Sequence, residues 1–384
     1  MQKSHVLQER AVLQQSKAKL FDLVCNNASQ EQWAEWLMVP LEHATAAGDS
    51  EGAKADVDVR GGERDRVPLH YAVDNGHEAI VKLLLLSGAS SNCKDDKDAL
   101  PIQIAVSRGY EEIVSMLLLR GTEEQVLHGD GNSLLHVAAR KGHASVARAL
   151  LIAGADPWLR NSRGFSALEV AAGGGHVDVI RVLVQHGSDV TSCNGYGSTA
   201  LHHAAAGNQP GAVDVLVKFG SSVEARSKSL STPLCLAARQ GSCGALAVLL
   251  RHKANVHARR SRGRSPLMIA CMNLHLEAAD LLLRWGADET IADDKGLFAV
   301  QVIGNSVGEG NREGRRQDMN SMRKLLANAP ADRAWRRGGS LVLCRAFPQK
   351  ACTEGDGRVG SCSIEARVVQ LEQGSLFRII VSFL

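Results

Sequence analysis

Residues 131–143 read Gly131-Asn132-Ser133-Leu134-Leu135-His136-Val137-Ala138-Ala139-Arg140-Lys141-Gly142-His143, and their frame returns at intervals of 33 in both directions. With Leu135 as the reference slot, the equivalent positions hold Leu69, Ile102, Leu168, Leu201, Leu234, Leu267 and Val300, all aliphatic and without an insertion or deletion. An Ala stands three residues after the slot in the first seven copies (Ala72, Ala105, Ala138, Ala171, Ala204, Ala237, Ala270), and a Leu fifteen after it (Leu84, Leu117, Leu150, Leu183, Leu216, Leu249, Leu282). Gly lies seven on, with Asn208 and Leu274 as exceptions, and nineteen on, with Lys253 as the exception. Self-similarity at a fixed period of this length marks a repeat architecture.

Each column has a physical reason. Ser133, Ser166, Thr199, Thr232 and Ser265 stand where a hydroxyl can cap a first helix. Pro68, Pro101, Pro233 and Pro266 follow at the first helical turn, where a missing N–H costs nothing. The Ala column, doubled by Ala139, Ala172, Ala205 and Ala238, lets neighbouring helices approach closely, and the Gly or Asn seven on can take the left-handed conformation that ends the helix. A second helix follows, with apolar spacing such as Ile80, Leu83 and Leu84. After the Gly nineteen on, a polar stretch is left to project as a finger toward the next copy. One unit cannot bury its own faces, so the stack of neighbours must make the core.

These columns resemble the ankyrin repeat, with Gly131 to Ala139 plus Gly142-His143, and Leu282-Leu283-Arg284-Trp285-Gly286-Ala287-Asp288, as the copies that carry the likeness best. The resemblance covers residues 67 to about 304. It implies an all-α solenoid of stacked helix-turn-helix units with projecting finger loops, whose concave face of finger tips and first-helix ends contacts protein partners.

The repeats divide the chain into three. Residues 1–66 are expected to form a helical cap containing a degenerate repeat at Pro40-Leu41-Glu42-His43-Ala44, with Trp33 and Trp36 covering the first full unit. Residues 67–339 hold seven full repeats and an interrupted eighth, in which Leu325-Leu326 stands 25 rather than 15 residues after Val300, so Asn305 to Met319 reads as a loop insertion. Residues 340–384 form a tail. Trp335-Arg336-Arg337, just before it, and Phe377-Arg378-Ile379-Ile380-Val381 within it are similar to the endings of a multi-repeat ankyrin family, a likeness that brings no activity with it.

Composition agrees. Of 384 residues, 45% are apolar and only 4% aromatic, so the interior is built from Leu, Val and Ala, as closely packed thin helices require. No apolar run approaches the roughly 18 residues of a membrane span, and Met1 to Leu20 lacks the apolar core of a secretion signal. The 9 Cys are odd in number with no C-x-x-C pair, which reads as a reducing compartment, cytoplasmic or nuclear. Net charge is +3, but between Arg251 and Arg345 there are 17 Lys/Arg against 10 Asp/Glu.

Chemistry is absent where motifs would carry it. Half of the 14 His fall on repeat columns (His70, His136, His202; His77, His143, His176, His275), where an imidazole ties helix starts to fingers and turns. His202-His203 has no Cys or carboxylate at helical spacing to complete a metal site, and Cys235 and Cys243 read as buried thiols. Gly173-Gly174-Gly175-His176 follows a helix rather than a strand and has no Walker lysine. No nucleophile-elbow, zincin or kinase signature occurs. The expectation is a protein that is not an enzyme, with no cofactor, metal or small-molecule substrate.

What remains is a surface. The finger and groove slots that the ankyrin likeness assigns to partner contact hold Arg140, Arg160, Arg163, Phe165, Tyr196, Arg226, Lys228, Arg239, Arg259, Arg262 and Arg264. Arg and aromatic residues are what interface centres favour, and their sign suits an acidic protein partner. The reading is a non-catalytic scaffold or adaptor. Two alternatives stand beside it: a substrate-recruiting adaptor of a ubiquitin ligase, from the likeness of Leu341-Val342-Leu343-Cys344-Arg345 to the start of a box in some ankyrin adaptors, and nucleic-acid binding through the basic fingers. The net charge and only two rings near the groove count against the second.

Overall fold

The computed structural model describes residues 58, 60, 65–121, 130–305, 314 and 316–330. Helices come in pairs at the period of the sequence: α1 (Pro68–Asp74) and α2 (Glu78–Leu86), α3 (Pro101–Arg108) and α4 (Glu111–Leu119), α5 (Leu134–Lys141) and α6 (Ala144–Ile152), α7 (Ala167–Gly174) and α8 (Val177–Gln185). The series continues with α9 (Ala200–Ala206) and α10 (Pro210–Lys218), α11 (Pro233–Gln240) and α12 (Cys243–Arg251), and α13 (Pro266–Met272) and α14 (Leu276–Arg284). A last helix, α15, spans 316–330. Odd-numbered helices from α1 to α13 pack each on the next, as do even-numbered ones from α2 to α14, giving two layers of an all-α solenoid. No strand forms among the described residues, which share one compact unit ending at Pro330.

The first helices start where the capping hydroxyls stand. Ser133, Ser166, Thr232 and Ser265 accept hydrogen bonds from the backbone N–H groups of His136, Glu169, Cys235 and Met268. Pro68, Pro101, Pro233 and Pro266 open their helices as expected, and Pro210 opens a second helix in the same way. The reference Leu/Ile column, the Ala column and the Leu column are each buried throughout the seven full repeats, none more than 3% exposed. They form a continuous core that no single repeat could close.

Left-handed backbone recurs at the glycine columns, and the exceptions obey them. Asn208 (φ 52°), Leu274 (φ 60°) and Lys253 (φ 63°) take the same conformation as the glycines they replace. At Gly109 there is a second constraint, since a Cβ would lie 2.7 Å from the ring of His143 in the next repeat.

Six fingers among the described residues are closed by two backbone bonds each. In the fourth finger Asn161 N donates to Phe165 O at 3.0 Å and Gly164 N returns to Asn161 O at 2.8 Å, and the same pair of bonds recurs at Asp95, Asn194, Ser227, Arg260 and Asp293. The returning residue is always left-handed: Asp98, Gly164, Gly197, Leu230, Gly263 and Gly296.

The eighth unit corrects the sequence reading in two places. Its first helix is a short 3-10 turn, Ala299–Val302, and the tighter winding moves Val300 out of the core to 48% exposure while Ala299 and Val302 take the buried face. Its second helix, α15, already runs through 316–319, which were assigned to the inserted loop, and buries Met322 and Leu326. The expected cap within residues 1–57, most of that loop and the tail 340–384 lie outside the described residues.

Candidate protein-interaction surface

Imidazoles fasten finger to helix. In His136 the Nδ1 atom accepts from Ser133 N, and Nε2–H donates to the carbonyl of Phe165 at 2.8 Å. His70 and His202 repeat this with Val67 and Ala99 and with Thr199 and Ser231. Burial holds all three below the ordinary imidazole range, although their carbonyl bonds pull the other way. A second set points backward: His143, His176 and His275 reach the carbonyls of Ser107, Arg140 and Arg239 in the preceding repeat. Six of the seven column histidines make such a tie.

The fingers are also joined tip to tip. Lys228 N donates to Tyr196 O at 3.0 Å, Ser261 N to Ser229 O at 3.1 Å and Asp294 N to Arg262 O at 3.1 Å. These bonds set the sequence-assigned residues of the fifth, sixth and seventh fingers in one connected row. Arg226, Lys228 and Arg262 are exposed on it, Tyr196 is 68% exposed, and Arg163 is exposed on the adjoining fourth finger. Arg140 and Arg239 are exposed at the ends of α5 and α11.

Of the other assigned residues, Arg160 and Phe165 are committed to the fold. Arg160 is half-buried and spreads its guanidinium over Gly164 O, Ser192 Oγ, Cys193 O and Glu169, tying the fourth finger to the fifth. Phe165 is half-buried, its ring edge-on to His203 with centroids 5.0 Å apart. Arg259 is exposed but donates to Ala292 O at 2.6 Å. Arg264 is half-buried, with Nε 3.9 Å from Asp293 Oδ2. The surface therefore divides into residues bonded or packed into the fold (Arg160, Phe165, Arg259) and groups that are not.

One residue escaped the sequence reading. Arg260 is half-buried beside Arg239 and Arg264 in a pocket that Ile269, Met272 and Asn273 complete. Its signal in the sequence is the column seven residues before the reference slot, where the other described repeats have Asp95, Asn161, Asn194, Ser227 and Asp293. A further column, seventeen after the slot, is exposed and apolar in the first three repeats (Leu86, Leu119, Ile152) and then Gln185, Lys218, Arg251 and Arg284.

As for chemistry, among the described residues no group of three or more His, Cys, Asp or Glu is placed to hold a metal ion. Cys235 and Cys271 are buried, and burial pushes the Cys271 thiol up to about 12. Cys243, expected to be buried, is only half-buried at the first position of α12. No helix among the described residues is long and apolar enough to cross a membrane. The ligase-type stretch Leu341 to Arg345 lies outside the described residues.

The family model for ankyrin repeats (3 copies) matches the chain over residues 34–128, 69–161, 135–227 and 219–293. Among solved structures, the human ASB11 ankyrin repeat domain is similar at 25% identity and a TM-score of 0.53, covering 58% of this chain and 99% of that one. The ankyrin repeat domain of Bcl-3, of the IkappaB family, is 27% identical with a TM-score of 0.48, covering 59% of this chain and 98% of that one. No curated protein matches the chain.

Proposed function

This chain belongs to the ankyrin-repeat family, whose repeats are protein-interaction modules and whose members are typically non-catalytic, and from that premise we propose that it is an adaptor or scaffold binding an acidic protein along the row of finger tips. The observation that carries the reading is the row itself. Arg226, Lys228 and Arg262 lie exposed on fingers held together by backbone bonds, with Tyr196 exposed among them, and Arg163 lies exposed on the fourth finger, which the Arg160 guanidinium ties to the fifth. None of the four cations makes a side-chain hydrogen bond or ion pair among the described residues. Their support is rigid, because the tip-to-tip bonds and the guanidinium of Arg160 fix the loops before a partner arrives, which lowers the ordering cost of binding. In this reading residues 67–339 are the binding module, 1–66 its cap and 340–384 an appended tail.

Nucleic-acid binding has less support. Successive bases need successive stacking rings, and of the two rings near the groove Phe165 is packed on His203, leaving Tyr196.

Affinity capture followed by mass spectrometry, with wild type and an Arg163→Glu, Arg226→Glu, Lys228→Glu, Arg262→Glu variant, tests the proposal. Exposed charges away from the core change stability by less than about 0.5 kcal/mol each, so the variant stays folded. The wild-type interactors should be lost, and the wild-type interaction should weaken with salt. An unchanged set of interactors would move the binding site off the fingers.

A further inference from the structure

The seventh finger breaks a rule that every other described finger keeps. Seven residues before the reference slot, a short side chain turns back to accept backbone N–H groups of its own loop. Asp95 Oδ1 accepts from Lys97 and Ala99, Asn161 Oδ1 from Arg163 and Phe165, Asn194 Oδ1 from Tyr196 and Ser198, and Asp293 Oδ1 from Lys295 and Leu297. Ser227 Oγ does so for Ser231. Arg260 fills this slot with a group that accepts nothing. Its Nε is buried without a partner, and burial, then the charge of Arg239, push its guanidinium below the ordinary range. The loop loses its acceptor and gains a desolvated cation, two costs with no structural return. Places where a sequence departs from its own local rule without compensation are where function is expected.

Arg264 supplies an independent observation, because the chain contains its own control. Arg66 occupies the same slot six repeats earlier, and there the cation is neutralised: Nη1 donates to Asp74 Oδ2 at 3.0 Å and Nε faces Asp95 Oδ2 at 3.4 Å. The counterparts in the seventh repeat are Met272 in place of Asp74 and Asp293 in place of Asp95. Asp293 stands 3.9 Å from Arg264 Nε, beyond hydrogen-bond reach, and neither Arg264 Nε nor Asp293 Oδ2 has another partner. One carboxylate of the pair is therefore missing, and Arg239, Arg260 and Arg264 line a cavity of about 290 Å³ floored by Ile269 and Met272.

We propose that this pocket binds an Asp or Glu side chain of the protein partner, whose carboxylate takes the place beside Arg264 that Asp74 fills beside Arg66. The inference rests on the finger surface being a protein-binding one and names its anchor. A carboxylate would receive charge-assisted hydrogen bonds from Arg260 and Arg264, while Ile269 and Met272 cover its methylene stem. The volume suits one side chain and falls short of most small-molecule pockets.

The test is nuclear magnetic resonance of the arginine Nε–H groups in the full chain, titrated with N-acetyl-glutamate methylamide, its glutamine counterpart, its phosphoserine counterpart and a single-stranded oligothymidine. The glutamate compound should move the Arg260 and Arg264 signals saturably, and the glutamine compound should not. Met272→Asp, which restores the internal carboxylate, should weaken that response at least about tenfold. Arg260→Asn, which restores the loop acceptor, should raise the melting temperature while abolishing the response, a combination that a merely structural arginine would not give. Absence of a saturable shift, or an unchanged response in Met272→Asp, overturns the proposal. A response to phosphoserine or oligothymidine alone overturns it in favour of a phosphate site. If captured interactors survive Met272→Asp but not the four-residue finger reversal, the pocket fails and the finger surface stands. If they survive both, the surface reading fails as well.

Discussion

Nε2 of His136 lies 2.8 Å from the carbonyl oxygen of Phe165, so a side chain at the start of α5 holds the next finger in place. The other ring nitrogen closes its own helix start on Ser133, and one buried residue thus couples two repeats. His136→Ala should cost about 2 to 4 kcal/mol, since it strands a buried acceptor and a buried donor and leaves a cavity. His136→Gln should cost less, because Gln103 and Gln301 in the same slot accept from the N-cap N–H of Leu100 and Phe298. Urea unfolding of both variants measures the difference, and equal losses would refute the capping role.

Acid should weaken the protein through its buried imidazoles. His203 is lowered to about 4 by burial and by its neighbour His202, and His70, His136 and His202 are lowered as well. An unfolded chain binds these protons near the ordinary His value and the folded chain does not, so their contribution is full above about pH 6.5 and falls as pH drops toward 4. His203 alone should account for a loss of about 2 kcal/mol between pH 7 and pH 5. Melting temperatures across this range should fall for wild type and fall less for His203→Gln. A flat profile would mean the rings are protonated in the folded state.

Lys253 stands at φ 63° where the other six full repeats have glycine. Left-handed backbone costs a side-chain-bearing residue about 1 to 2 kcal/mol, against about 0.5 to 1 kcal/mol of extra unfolded-state entropy for glycine. Lys253→Gly should therefore stabilise the chain by about 0.5 to 1 kcal/mol. The urea midpoint should rise with the slope unchanged, and a lower midpoint would show that Lys253 makes a compensating contact.

The fold was legible because period, helix caps and core columns all follow from backbone geometry that repeats. Leu84, Leu150 and Leu282 could be assigned from spacing, and even the exceptions Asn208, Lys253 and Leu274 kept the conformation of their column. The surface was legible only in part. Spacing placed Arg160 on the finger side but could not reveal that its guanidinium would be spent on Ser192 and Cys193, since those contacts depend on how the next loop sits. Arg260 was missed for the opposite reason: it is unusual only against the Asp, Asn and Ser of its own column, whose role shows once the loop hydrogen bonds are known.

Leu150 and Val300 separate a regular repeat from its frayed end. Leu150 is fully buried in α6 between neighbours on both sides, whereas Val300 shares the period but sits on a 3-10 turn, 48% exposed. Leu150→Ala should cost about 2 to 5 kcal/mol, as truncation of a packed leucine does when the cavity cannot collapse. Val300→Ala should cost less than about 1 kcal/mol, because the removed methyl groups already meet solvent. Two further substitutions sharpen the contrast: Val302→Ala, on the buried face of the same turn, should cost more than Val300→Ala, and Met322→Ala should weaken the end where α15 closes the stack. Thermal unfolding of the four variants checks the ordering. If Val300→Ala proves as costly as Leu150→Ala, the eighth unit forms a full first helix in solution and its valine belongs to the core column after all.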